Sequence, residues 1–436
     1  MTPQSSIFVL APLKRECEAE LRALLASMNV EERPGHADPR NPLVPFADLP
    51  QIHYARFAIL KDETLDDIHT AYGLPRVDYP VSLAFLADFD GAADDFRRDL
   101  ARCAQSGLDK IFSCCEGYVS GTGLAQWMKD REAPPAANYV NWIGRTVVQV
   151  REENALRLAL EEELRRDPAA FAGKTPREIH FTLSEFVRRR VYQGCLRLTP
   201  PARTPFGWWI RNLVHAIGGV LAVLVLAPLF VLYLPVFALQ LRLHEKSDPE
   251  IAPRVSDAHE YALSKLEDYD VTNQFTVMGS VKPGLFRRWT LAVLLSAVNW
   301  TARHIFSRGH LARVSTIHFA RWVFIDGKRR VVFASNYDGS LESYMDDFIN
   351  KVGWGLNLSF SAGIGYPLTR WLLLDGSKRD QKFKYVLRRH ELPTEVWYKA
   401  YPGLTAFDLK RNTRIRQGIE QRSLTDQELR EWVALL

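Results

Sequence analysis

Cysteine is scarce in this sequence, and its spacing excludes two common kinds of small-domain scaffold. The 436 residues include five cysteines, and no two of them form a CxxC pair. An odd number without that spacing argues against a disulfide framework and a zinc ribbon, and it indicates a reducing compartment. The cysteine pattern therefore predicts no metal site.

A surplus of one charge is also missing. Lys and Arg number 56 against 51 Asp and Glu, which leaves a net charge of +5. We expect no nucleic-acid partner, because such proteins concentrate Lys and Arg on one face. Gly (25) and Pro (24) are not enriched, and 47% of the residues are hydrophobic. This composition excludes a disordered or collagen-like chain, and the length predicts two or three globular domains.

One long uncharged stretch lies in the middle of the chain. The 30 residues between Arg211 and Arg242 carry no formal charge. A buried soluble helix is rarely so long and so apolar, so the stretch predicts a membrane-embedded segment, with a buried core helix as the alternative. Basic residues flank both ends, which gives no orientation. Because proline favours a bend, we predict a hairpin over 207–246 that is broken near Pro228.

Several sequence blocks occur twice in the same order, which indicates an internal duplication. SIFVLAPLK at 6–14 matches QFTVMGSVK at 274–282, and IHYARF at 52–57 matches IHFARW at 317–322. From Phe85 and Phe333 onward, the two copies run for 34 positions at a constant offset of 248. Ten of those positions are identical.

Each copy has the periodicity of strand, helix, strand, strand, helix, strand, and the last strand of the first copy is predicted at 109–118. This order is that of the ferredoxin-like split βαβ motif. We therefore predict an α+β fold in which two ferredoxin-like βαββαβ repeats form an intramolecular α+β barrel, with a helical insert and a membrane-embedded hydrophobic hairpin. The predicted parts are repeat 1 (1–118), the helical insert (119–206), the hairpin (207–246), a helical linker (247–271), repeat 2 (272–370) and a basic C-terminal extension (371–436).

The duplication also bears on how the chain meets a membrane. A single crossing would put the two repeats on opposite sides, where their sheets could not pack together. We therefore predict a monotopic protein on the cytoplasmic face of the bacterial inner membrane. The helix at 286–306 is apolar around most of its surface and predicts an interfacial helix, or alternatively a helix covered by the insert. Residues 370–422 carry 13 Lys or Arg against six Asp or Glu, which favours contact with the anionic headgroups of membrane lipids.

Four polar positions recur in both copies, and each has a structural and a chemical interpretation. The pairs are Lys14 and Lys282, His53 and His318, Arg56 and Arg321, and Asp90 and Asp338. In the structural interpretation, the aspartates are helix N-caps and the histidines are buried, hydrogen-bonded strand residues. His318 and Arg321 lie three residues apart, so on a regular strand they face opposite sides and need a bulge to share a cavity.

Polar and aromatic residues are more frequent in the second copy, which places any site there. Asn336 and Tyr337 belong to this set. His304 and His310 are candidate metal or haem ligands, although a lone helical histidine is more often structural. The sequence contains no HExxH, GxSxG or GxxxxGK[ST] motif, so no motif alone assigns a reaction.

The paired ferredoxin-like halves and the Asn-Tyr-Asp-Gly turn at 336–339 resemble the dimeric α+β barrel superfamily, which includes the dye-decolourising haem peroxidases. The resemblance implies haem as cofactor, Asp338 assisting peroxide cleavage, Arg321 as the distal arginine and a proximal ligand among His304, His310 and His318. Ser335 stands where the GxxDG motif of those enzymes has its first glycine. The blocks TIHFARW and SNYDGS also resemble a bacterial family of uncharacterised membrane-associated proteins, from which no activity carries over.

These observations predict a monotopic membrane protein that binds or processes an apolar or lipid-derived small molecule. The enzyme hypothesis is a haem-dependent, peroxidase-like oxidoreductase with Asp338, Arg321 and His318 as catalytic residues. Its cofactor-binding residues would be His304, His310, Asn336 and Tyr337. The competing hypothesis is a non-catalytic membrane scaffold or lipid-binding module, and either function is compatible with an oligomer.

Overall fold

The computed structural model describes the whole chain except residues 122, 142, 252, 307–310, 312 and 422. The fold is mixed α+β. Its strands are β1 (Gln4–Pro12), β2 (Asn29–Val30), β3 (Arg33–Ala37), β4 (Ile52–Leu60), β5 (Ser82–Asp90), β6 (Pro135–Val140), β7 (Thr272–Ser280), β8 (Ile317–Ile325), β9 (Arg330–Asp338), β10 (Thr369–Arg370), β11 (Leu374–Asp375) and β12 (Thr394–Lys399). Its α-helices are α1 (Glu18–Ala26), α2 (Asp67–Tyr72), α3 (Ala93–Ser113), α4 (Leu124–Asp130), α5 (Val147–Arg166), α6 (Pro176–Tyr192), α7 (Phe206–Ser247), α8 (Asp257–Ser264), α9 (Leu285–His304), α10 (Leu341–Phe360), α11 (Asp380–His390), α12 (Ala406–Glu420) and α13 (Asp426–Val433).

Two larger sheets carry the duplicated strands in the same order. The first sheet runs β1-β5-β4-β12-β3-β2, and the second runs β7-β9-β8-β6. Within each sheet the three strands of one copy pair antiparallel, and the neighbour of the second strand comes from the other half of the chain. The half of the chain before α7 therefore contributes β6 to the second sheet, and the half after α7 contributes β12 to the first. The insert that we predicted to be helical thus contains the strand β6, and the basic C-terminal extension contains β12.

The sheets are also joined along their remaining edges. Just before β6, the chain pairs with β1 through the amide of Leu10 and the carbonyl of Arg131, 3.0 Å apart. Just before β12, the amide of Leu392 donates to the carbonyl of Thr276 at 2.8 Å, on the free edge of β7. These short links close the two sheets into a ring of eight strands, and each link covers part of the outer edge of β1 or β7.

The strand that we predicted at 109–118 is not formed. Helix α3 continues to Ser113, and Cys115 makes only an isolated bridge to Leu13. The reason lies in the spacing of the buried residues Leu108, Ile111 and Phe112, which fits one face of a helix as well as a short strand.

Three of the four clusters of buried apolar side chains lie against the two sheets. An inner cluster lies between the sheets and includes Phe8 and Leu86 of the first sheet and Met278 and Val332 of the second. Outside the first sheet, α1 and α3 cover one large cluster. Outside the second sheet, α9 and α10 cover another. The alternation of side chains along β9 explains the division, because Val332 faces inward and Phe333 faces α10.

Helix α7 replaces the predicted hairpin. It is a single helix of 42 residues that runs through Pro228 and Pro235 without a break, so the prediction of two arms bent at Pro228 is wrong. Each proline removes one backbone donor, but the other carbonyls of an apolar segment find their best partners within the helix. The helix is long and apolar enough to cross a membrane, and its most apolar window is fully exposed.

Candidate functional site

The two recurring arginines lie inside the strand ring, between the sheets. Arg321 donates to the carbonyl of Ile7 at 2.8 Å and forms an ion pair with Asp88. Arg56 donates to the carbonyls of Phe275, at 3.0 Å, and Ser335, at 2.8 Å. The cavity beside them measures about 10 Å³, room for about one water molecule. Arg321 is therefore held in a packed interior that has no space for a substrate.

The environments of the two arginines differ in charge. Asp88 faces Arg321, whereas the equivalent position near Arg56 is the neutral Asn336, which accepts a hydrogen bond from it. Burial, and then the nearby Arg321 guanidinium, lower the pKa of Arg56 to about 9. Two buried guanidinium groups thus share one carboxylate.

Each recurring histidine lies at a β-bulge, which removes the regular alternation of strand side chains. Nε2 of His318 is 2.7 Å from Oδ1 of Asp338, and the other oxygen of Asp338 accepts from the amide of Ala406 at 2.7 Å. Ala406 is the first residue of α12. The histidine is therefore a buried, hydrogen-bonded strand residue, and the aspartate bonds to the start of a distant helix.

The first half repeats this arrangement. Nε2 of His53 is 3.0 Å from Asp90, and the other oxygen of Asp90 accepts from the amide of Val147, the first residue of α5, at 2.8 Å. The helices that directly follow the two aspartates begin instead after Ala92 and Ser340. The histidines are thus buried and hydrogen-bonded, as the structural interpretation predicted. Neither aspartate is a helix N-cap, because Thr146 and Thr405 cap α5 and α12.

The remaining predicted residues do not join this cluster. Tyr337 is buried and stacks on Tyr344, with ring centroids 4.0 Å apart. His304 lies on α9, where its Nε2 is 2.8 Å from Nδ1 of His215 on α7. His310 lies outside the described residues. The described members of the predicted haem site thus occupy separate places and do not fit around a haem group.

A cavity of about 320 Å³ lies elsewhere, on the face of the second sheet that points away from the first. Its walls come from the sheet, α9, α10 and α11, and they are almost wholly apolar. Representative wall residues are Phe275, Trp322, Phe333, Leu294, Val298, Met345, Phe348, Leu356 and Leu387. Volumes of this size are typical of small-molecule sites. We take this apolar cavity as the candidate functional site.

Comparison with the first half of the chain shows why the second half contains a cavity. Helix α3 and helix α10 kink at equivalent positions, Ala104 and Val352, and each carries a glycine three residues later. At Gly107, a Cβ atom would lie 1.9 Å from the carbonyl oxygen of Leu43, because the segment at 38–49 fills the groove between α3 and its sheet. At Gly355, the only described atoms within 4 Å belong to Val352, and this glycine lines the cavity.

The difference follows from the length of one connection. The chain between α1 and β4 covers 27–51, whereas the equivalent chain between α9 and β8 covers only 305–316. Phe306 and Leu311 of the shorter connection line the cavity, and none of its described residues lies within 4 Å of a Cβ atom at Gly355. Unequal spacing between two repeated blocks was thus a signal for the cavity, and the sequence prediction did not use it.

A further group of side chains comes together in the first half. Possible metal-binding atoms of Cys17, Glu20 and Cys114 lie within 4.8 Å of one another. Burial raises the pKa of the Cys114 thiol to about 11, which keeps it protonated at neutral pH. Cys114 packs in the core cluster under α1 and α3, so this group is separate from the apolar cavity.

No family model, curated protein or solved structure matches this chain. The resemblance to the dimeric α+β barrel superfamily therefore stays a prediction. Function has to be argued from the apolar cavity and its surroundings.

Proposed function

We propose that this protein is held on one face of a membrane and binds an apolar, lipid-derived molecule in the cavity between the second sheet, α9 and α10. The observation that carries the proposal is the position of α9. Leu294, Val298 and Thr301 of this helix line the cavity, while His304 contacts α7. One helix thus separates an apolar ligand site from the most apolar surface of the molecule.

The exposure of α7 supports membrane attachment. Leu224 is 64% exposed and Leu232 is 78% exposed, and their neighbours along the middle of the helix are similar. Burial of apolar surface stabilises by about 25 cal/mol per Å², so this helix is unfavourable in water. Patches of this kind mark membrane or protein interaction sites.

The contacts of α7 support attachment within the plane of the membrane. Gly219 packs against Trp300, and Phe237 packs against Phe286, so both ends of α7 are tied to α9. The helix rises about 27 Å between these contacts while α9 rises only about 21 Å. Between these contacts, most side chains in the middle of α7 are exposed. A helix tied at both ends to one body lies along that body, and its middle is free to enter lipid.

The strand ring supports the same topology. β6 precedes α7 in the chain and pairs with β8, while β12 follows α7 and pairs with β4. Because the two halves exchange strands, both have to lie on the same side of the membrane. We propose that they are ferredoxin-like repeats that form an intramolecular α+β barrel, since each contains strand, helix, strand, strand and helix in that order. The cytoplasmic face is proposed because the cysteines are unpaired.

Binding is a better-supported role than haem peroxidation. Asp338 and His318 bond to each other and to α12, and Arg321 is enclosed beside Asp88. By contrast, the apolar side chains that line the cavity can pack against an alkyl or ring system without any buried charge. We therefore favour the lipid-binding module over the oxidoreductase.

The proposal is tested by filling the cavity. Val298→Trp should place an indole in the apolar cavity and lower the affinity for a fluorescent fatty alcohol at least tenfold in detergent-solubilised protein. Val293→Trp is the matched control, because Val293 lies on the same helix but is 66% exposed. Equal affinity in both variants, with unchanged melting temperatures, would exclude the cavity as the binding site.

A further inference from the structure

A second, smaller space adjoins the apolar cavity and ends at a histidine. It measures about 60 Å³ and shares Phe333, Ser359, Phe360 and Leu387 with the larger cavity as walls. His390, at the end of α11, lines it and is 6% exposed. A Cβ atom at Gly279 would lie 3.2 Å from the ring, and one at Gly365 would lie 3.9 Å from it. The imidazole thus fits a slot between two residues that lack side chains.

The hydrogen bonding of His390 defines which nitrogen is free. Nδ1 lies 2.8 Å from the carbonyl oxygen of Val386. A carbonyl only accepts, so Nδ1 carries the proton. Burial lowers the pKa of His390, which keeps the ring neutral. Nε2 is therefore a lone-pair acceptor, and it has no hydrogen-bond partner among the residues that the structure describes.

His390 lines the smaller space, and its Nε2 has no protein partner among the described residues, so a ligand that enters this space can donate a hydrogen bond to it. We propose that His390 Nε2 is the polar recognition point of the cavity, and that the ligand is a long-chain or polycyclic molecule that ends in a hydroxyl group. Its apolar body would occupy the larger cavity, and its hydroxyl would donate to His390. This inference rests on the proposed function.

The surroundings favour a neutral hydroxyl over a charged end group. A carboxylate has no proton to donate, and the carboxylates of Asp62 and Asp67 lie close enough to interact with the His390 ring. An ammonium group would have to leave water for walls that are almost wholly apolar. His390 also borders a polar groove that includes Asp62, Thr64 and His259. The hydroxyl end of the ligand would thus lie beside the more polar part of the molecule.

The test compares two ligands in the wild-type full chain, a long-chain primary alcohol and its methyl ether with the same carbon chain. Both displace a fluorescent apolar probe from the detergent-solubilised protein. We expect the alcohol to bind about tenfold more tightly, the worth of one hydrogen bond. His390→Phe should abolish this preference and His390→Gln, which keeps an acceptor, should retain part of it. His180→Phe is the matched control, because His180 bonds to Gly418 in a different region.

The outcomes separate the inference from the proposed function. If neither ligand binds, both fail. If both bind equally well to the wild-type protein, the cavity is an apolar site and the role of His390 is wrong, with water from the polar groove as the partner of Nε2. If added hemin gives a histidine-ligated absorption spectrum that His390→Phe abolishes, the histidine is a metal ligand and the hydroxyl proposal is overturned.

Discussion

At the residue scale, the repeated sequence blocks place two buried arginines in similar surroundings that differ in charge. Arg321 and Arg56 occupy equivalent positions, but among the residues that the structure describes only Arg321 bonds to a carboxylate. Losing one partner of a buried ion pair leaves an uncompensated charge and destabilises by about 3–5 kcal/mol. The asymmetry between Asp88 and Asn336 is therefore open to a direct test.

We expect Asp88→Asn to lower the free energy of unfolding by about 3 kcal/mol, because Arg321 would lose its carboxylate partner and Arg56 the favourable charge of Asp88. Asn336→Asp should raise it, since Arg56 would gain a partner of the kind that Arg321 already has. Thermal and denaturant unfolding of the purified protein measure both effects. Destabilisation of similar size by the two substitutions would contradict this account of the interior.

Another buried group links stability to pH. Three carboxylates, those of Glu260, Glu267 and Glu391, bond to the single guanidinium of Arg388. Burial raises the pKa of Glu391, the innermost of them, to about 8 despite Arg388. In the folded state this acid is therefore protonated at pH values where the unfolded chain is not.

The sign of the pH dependence follows from that shift. The contribution of Glu391 is fully present below its unfolded pKa of 4.5 and is lost as the pH rises through about 8. Glu391→Gln should remove this dependence, so its melting temperature should exceed that of the wild type by an amount that grows toward about pH 8 and then levels off. A constant difference across this range would mean that Glu391 is ionised in the folded protein.

At the scale of secondary-structure elements, each duplicated aspartate ties a histidine to the first turn of a helix. Asp90 does so for α5, and Asp338 does so for α12. Both helices begin with a capping box, at Thr146 and Thr405. The positive end of each helix dipole then favours a carboxylate at this place.

Asp338→Asn should destabilise the protein by about 1–3 kcal/mol. The amide nitrogen of the asparagine would face a hydrogen-bond donor from which a carboxylate oxygen accepts in the wild type. Asp90→Asn should have an effect of similar size, and neither substitution should change the affinity for an apolar ligand. Unfolding curves and probe displacement measure the two properties. Loss of ligand binding or of an activity in Asp338→Asn alone, with normal stability, would restore the chemical interpretation of Asp338.

Helix α7 is the element on which the proposed membrane attachment depends. Leu224→Glu together with Leu232→Glu should abolish sedimentation with vesicles of anionic and zwitterionic lipid, because two charges would have to enter hydrocarbon. Both side chains are exposed, so the melting temperature in detergent should not change. Leu158→Glu on α5, 46% exposed, is the control. If the double variant still sediments with vesicles, the exposed face of α9 is the main attachment.

At the scale of the whole molecule, α7 separates the chain into two halves in sequence. The exchange of β6 and β12 between these halves joins them into one folded unit. Native Cys103 and Cys195 are exposed and precede α7, and Tyr385→Cys would place a thiol after it on a partly exposed position. We expect all three to react with a membrane-impermeant thiol reagent from the same side of sealed vesicles. Reaction of residues 103 and 385 from opposite sides would contradict the closed ring.

Much of this architecture can be predicted from the sequence, because it depends on local patterns. The duplication, most of the strands and helices, and the apolar stretch of α7 all follow from periodicity and composition. The end of α3 was mispredicted because a short apolar run such as Ile111 and Phe112 suits either a helix or a strand. The prediction of a bend at Pro228 was wrong for a similar reason, because a proline weakens a helix without deciding whether the helix continues.

Only the tertiary structure shows which distant segments of the chain pack or pair with each other. No local pattern shows that β6 pairs with β8 or β12 with β4, because strand propensity describes a fit to some sheet and not to a particular neighbour. The apolar cavity is equally a property of packing, since Gly355 differs from Gly107 only in what the rest of the chain brings against it. His390 is an ordinary helical histidine in the sequence. It becomes a candidate for ligand recognition because it is buried between Gly279 and Gly365 with Nδ1 bonded and with no partner for Nε2 among the described residues.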